Sequence, residues 1–211
     1  MRVIILLTCA VLFYPQSSRA FVQFNNPSER SIQIVSDADT VLSADREFVR
    51  IALTDDSYLM LHPNSSIWFR AAQANEVIDV QLLRGKFLIH TNKQSQFTIR
   101  VMVNESLINA ESANAGIEKS GFYWVEDGQI RIESLTSGSQ TTIRKGMYAQ
   151  ITNSSGEIIN GNLSAADMQH LSLTYKPVSE AGTPKAYRLE SDQSGELVLR
   201  EISGLIPAVN E

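Results

Sequence analysis

Cysteine is nearly absent. The 211 residues hold one, Cys9, inside an apolar run at the N-terminus. Once that run is removed, the chain has no disulfide, no thiolate nucleophile and no cysteine-based metal site. Histidine is scarce too: His62, His90 and His170 show no His-x-x-x-His or Glu-x-x-His spacing. His62 and His90 with Asp55 or Asp56 are the one arrangement that could assemble a metal site, and surface or turn histidines are the simpler reading, so no metal or cofactor is expected. No Gly-x-Ser-x-Gly elbow and no phosphate-cradling glycine loop are present. The paired acids Asp55, Asp56, Glu126 and Asp127 fall where turns are expected, the ordinary home of solvated carboxylates. The sequence therefore offers no catalytic residue, and the protein reads as a non-enzyme.

Basic runs are missing as well, and so is any long apolar segment after residue 20. The first twenty residues form their own unit. Arg2 precedes an apolar stretch from Val3 to Phe13, Tyr14-Pro15-Gln16 breaks it, and Ser18-Arg19-Ala20 places small residues where a signal peptidase reads. Residues 1–20 are thus expected to be a signal peptide, with the mature chain starting at Phe21. Thr8 and the short lead before Cys9 argue against a lipid-modified cysteine. Losing Arg2 and Arg19 leaves 16 basic against 23 acidic residues, a balance of −7. An acidic exported chain without a basic patch is a poor partner for nucleic acid, and the mature form should not span a membrane.

What is present is alternation. Apolar residues recur every second position at Val49, Ile51, Leu53, at Leu59, Leu61, at Ile78, Val80, Leu82 and at Phe97, Ile99, Val101, Val103. Asp, Asn, Pro, Ser and Gly cut the runs, as at Pro63-Asn64-Ser65-Ser66, Glu126-Asp127-Gly128, Ser137-Gly138-Ser139 and Ser154-Ser155-Gly156. About a dozen short strands at this spacing predict an all-β antiparallel sandwich or roll, or a small solenoid-like stack, over residues 21–160. Glu126-Asp127-Gly128 is expected to be a hairpin turn, and Ser36 to Asp45 a turn or extended connection. Residues 161–211 read as a short helix capped by Ser164, a linker over Val178 to Lys185, and a tail from Glu196 to Pro207. That tail could be a strand, a short helix or a segment that orders on a partner.

The order of these runs resembles the FecR domain. Leu53 to Ile67 is similar to its "L-x-D-G-S-x-V-x-L-x-x-x-S-x-L" hairpin, with Asp56 in place of the turn glycine. Val80 to Ile89 is similar to the strand–glycine–strand unit that follows, and Phe97-Thr-Ile-Arg to "P-F-x-V". Val125 to Ile132 matches "V-x-x-G-x-V-x-V", and Lys145 to Ile151 matches the late "G-Q-x-x-x-I". The resemblance covers residues 46–151; the family's "G-T-x-F-x-V" segment is replaced around Ala113-Asn-Ala-Gly116. It implies an exported, periplasmic all-β module (secretion from the cell being the alternative) that binds another envelope protein in signalling. It also implies a standalone form, without a sigma-binding or transmembrane segment. A second implied role is binding of peptidoglycan or another glycan. Contacts are expected at Tyr58, Trp68 and Tyr123, and on the tail at Leu197, Leu199 and Ile202. N-terminal sequencing of the exported protein should read from Phe21, and thiol titration of that species should find no cysteine.

Overall fold

Two long strands joined by a tight turn, β9 (Ser106–Glu118) and β10 (Phe122–Ser134), organise the sheet. A computed structural model describes residues 31–32, 40–53, 56–72, 77–92, 98–152, 154–176, 185–191 and 197–201. The expected signal peptide, most of the 178–185 linker and Ile202 lie outside them. Both long strands bend midway. Ser112 takes φ 50° and Gly128 φ 76°, and the register shifts on either side of Asp127. A side chain at 128 would overlap the Ser112 carbonyl, so glycine is what lets the strands approach at the bend. Glu126-Asp127-Gly128 is therefore a bulge inside one strand, not the expected hairpin turn. A positive φ serves a bend as readily as a reversal.

The bend gives each long strand two sets of partners. On one side of it, β9 pairs with β7 (Lys86–His90), and β10 with β12 (Met147–Ile151). On the other side, β9 pairs with β8 (Thr98–Val103), and β10 with β11 (Gln140–Arg144). The first half continues from β7 through β4 (Tyr58–Leu61), β3 (Val49–Ala52), β14 (Lys185–Ser191) and β15 (Leu197–Glu201) to β1 (Ser31–Ile32). Beyond β12 it adds β13 (Ile158–Asn162). The second half continues from β8 through β6 (Val77–Arg84) and β5 (Ser65–Ala72) to β2 (Thr40–Ala44). Pairing is antiparallel except for β14 with β3 and β6 with β8. The sheet is thus a roll of short strands, all-β apart from one helix. Ser36 to Asp45 was expected to be connection; its described part contains β2, with Leu42 and Ala44 buried.

The inner faces of both halves meet in one core. Ile51, Leu59, Phe87, Ile117 and Tyr123 from the first half join Ile67, Phe69, Val101, Ile108 and Ile132 from the second. Each such side chain contributes about 1.5–3 kcal/mol by leaving water. The helix α1 (Ala165–Tyr175) starts where Ser164 accepts a hydrogen bond from the Asp167 amide. It covers the outer face of the first half, where Met60, Leu88, Trp124 and Tyr175 form a second buried cluster with Met168 and Leu171 against it. Trp124 pairs across the strands with Gly116, and any side chain at 116 would overlap the indole. Gly116→Ala should cost about 1–3 kcal/mol by overpacking. A lowered urea midpoint would show this, whereas an unchanged midpoint would mean that the indole simply rotates away.

Candidate functional site

The two halves differ on their outer faces, because α1 covers one and leaves the other open. On the covered half, residues at the same level across strands are Arg50, Met60, Leu88, Gly116, Trp124 and Tyr148. The neighbouring row holds Tyr58, His90 and Asn114. Tyr58 stacks on His90 with centroids 4.9 Å apart, and the Arg50 guanidinium lies 4.3 Å from the same ring centre. Burial raises the Tyr58 pKa, with the Arg50 charge opposing it. His90 is lowered by burial and then by Arg50. Among the described residues Arg50 Nε and His90 Nδ1 are buried without a hydrogen-bond partner, and the Tyr58 ring packs against both side chains. Two carboxylates fasten α1 over this face. Glu118 accepts from the Tyr175 hydroxyl at 2.7 Å; Glu126 accepts from Ser172 at 2.6 Å, from Lys176 at 3.2 Å and from Asn114. Burial and the Glu118 contact both push the Tyr175 pKa up.

On the open half, a row of mostly apolar residues runs across the strands. Val41, Trp68, Gln81, Met102 and Leu107 stand opposite one another on β2, β5, β6, β8 and β9. Val41 is 53% exposed and Met102 39%, while Trp68 and Leu107 are half-buried. Leu83, 40% exposed, joins the same face. At a strand spacing of ~4.8 Å this stripe runs about 19 Å. The next row is polar: Asp79, Arg100, Asn109 and Arg131 stand opposite one another, and Arg100 grips Asp79 with two hydrogen bonds of 2.8 and 3.0 Å. Past that row the bend opens a polar cleft of about 760 Å³, lined by Thr91, Asn92, Thr98, Glu111, Gln129 and Arg144 among others.

The predicted contact residues separate accordingly. Trp68 lies in the open stripe. Tyr58 is half-buried, with its ring already engaged by His90 and Arg50. Tyr123 is not an exposed contact: it is fully buried in the core, and burial pushes its pKa up to about 12. Alternation called for one wet face at residues 122–124, but core and helix cover both. Leu197 and Leu199 lie on β15, which is paired on both edges, by β14 and β1. His62 and His90 do not meet; they sit at opposite ends of β4, His62 against Phe48 and Tyr175. Burial lowers the His62 pKa. Among the described residues no cluster of three acids or histidines could hold a metal ion. Sequence reading missed Val41, Met102 and Leu107; an apolar residue in the outward phase of an alternating strand was the available signal.

The FecR protein family model matches residues 39–139. Solved structures that match include two crystal structures of a candidate anti-sigma factor from Parabacteroides distasonis ATCC 8503. One is 13% identical with a TM-score of 0.52, covering 62% of this chain and 63% of that one. The other is 14% identical with a TM-score of 0.53, covering 63% and 64%. Less than two thirds of either neighbour is shared, and the likeness is one of fold. No curated protein matches. No helix among the described residues is long and apolar enough to cross a membrane.

The two tryptophans report on the two faces separately. Trp124→Phe, which leaves Trp68, should give redder emission and stronger acrylamide quenching than Trp68→Phe, which leaves Trp124. Equal quenching would mean that the helix does not exclude water from the covered face.

Proposed function

Residues 39–139 are a FecR-family domain, and from that premise we propose that the protein is a non-enzymatic, exported module whose task is protein–protein contact in envelope signalling or regulation. The observation that carries this reading is the open stripe. Val41, Trp68, Met102 and Leu107 share one row, broken only by Gln81, on an otherwise polar sheet face, with an aromatic anchor in it. Scattered surface apolar residues need no explanation, but a mostly apolar row rimmed by charge is the anatomy of a contact site. The periplasm is the compartment that suits the expected signal peptide and the FecR domain.

Glycan binding is the second reading, and the geometry favours it less. Sugars stack on open aromatic faces; Tyr123 has none, the Tyr58 ring is occupied, and Trp68 alone remains. A photoreactive phenylalanine analogue placed at Met102, in the bacterium of origin, should give a discrete, protease-sensitive adduct. The same group at Leu173, exposed on α1, should not. An adduct released by muramidase, or equal adducts from both positions, would overturn the reading.

A further inference from the structure

We infer that the segment this stripe accepts is an acidic one: about 19 Å of largely apolar contact bordered by carboxylates on the side of Arg131 and Arg144. This rests on the protein-contact reading above and adds the chemistry of the partner. Charge is what points to it. The whole chain carries −5. Yet the described outward side chains of the open half include Arg84, Arg100, Arg131 and Arg144 against Asp79, Glu111 and Glu133. Those strand residues have a small positive balance on a negative molecule; Arg100 and Asp79 neutralise each other, leaving Arg84, Arg131 and Arg144 against Glu111 and Glu133.

The placement is as informative as the count. Arg131 stands on β10 in the row beside the stripe, opposite Thr142, and Arg144 stands opposite Gln129 at the rim of the cleft. Both are exposed, and neither has a carboxylate within ion-pair distance among the described residues. Adjacent rows on one face are ~6.8 Å apart, which puts Arg131, one row from the stripe, within reach of a Glu side chain on a segment seated along it; Arg144, two rows away, extends the positive border toward the cleft. The four cations counted among the described side chains of this face are arginine, whose planar fork binds carboxylates in two-point fashion and is enriched at contact surfaces. A basic segment would meet these guanidiniums unfavourably, so the face selects by sign.

Two synthetic amphipathic peptides with identical apolar positions test this, one carrying Glu and the other Lys at the flanking positions. Fluorescence anisotropy against the full chain should find the Glu peptide binding about tenfold tighter in low salt, with the advantage shrinking as salt rises. Arg131→Glu/Arg144→Glu should reverse the order of the two peptides. Trp68→Ala/Met102→Ala should weaken both. The Lys peptide binding as well or better would overturn the acidic inference and leave protein contact standing. Binding that ignores Trp68→Ala/Met102→Ala, or no binding of either peptide, would overturn the contact reading itself. Unchanged urea midpoints for the variants establish that each is folded.

Discussion

The rest of the structure depends on the close passage of β9 and β10 at Ser112 and Gly128. Two strands of this length could have run straight and paired with one set of neighbours. At Gly128 the missing side chain admits the Ser112 carbonyl, and the positive φ values at both residues turn the ladder. Each strand then has two stretches facing different directions, and each stretch recruits its own neighbours. The enclosed core follows from that geometry, because the inner faces of the two halves are brought opposite one another.

A bent sheet has two outer faces, and this chain treats them unequally. Over the first half, Gly116 leaves space for the Trp124 indole, and α1 closes over indole, Met60 and Leu88. Of α1's own residues only Tyr175 is fully buried, so its apolar contact is small for its length. The remainder of its attachment is polar and runs through Glu118 and Glu126. Hydrogen bonds to a charged carboxylate contribute more than neutral ones, about 1.5–3 kcal/mol each. A short helix is held at a defined angle this way without a wide apolar stripe. The FecR match ends at residue 139, so β11 to β13, α1, β14 and β15 lie beyond it. This part of the chain provides the cover for one face of the matched region.

Alternation made the all-β class, most strands and the α1 cap legible, since each depends on neighbours close in sequence. Burial on both faces was not legible. Tyr123 and Trp124 are adjacent and both fully buried, which alternation alone cannot express, because the second cover is a helix some forty residues away in the chain. The bulge at Gly128 misled for a related reason: Asp-Gly reports a positive φ, but only the partner strand decides between bend and reversal. At the candidate site Trp68 was found as an aromatic, while Met102 was read past as an ordinary strand residue and Val41 lay in a stretch expected to be connection. Their significance lies in cross-strand register, which the order of residues does not contain.

The division of cations between the two halves ties these threads together. Lysines, and Arg50 over the Tyr58 ring, make contacts within the chain. Lys86 lies over the Tyr175 ring, Lys176 meets Glu126, Lys119 donates to the Leu82 carbonyl, and Lys145 meets Asp127. The open half carries arginines. A flexible ammonium suits a contact inside one chain, where the partner is tethered and a point charge is enough. A guanidinium holds a planar acceptor in a fixed orientation and retains its charge when water is removed, which suits a contact completed by a second molecule. The helix-covered face has its occupant in the same chain, and its cations, Arg50 included, contact rings and carboxylates of that chain. The open face keeps its largely apolar row and the exposed guanidiniums of Arg131 and Arg144 uncovered by that helix.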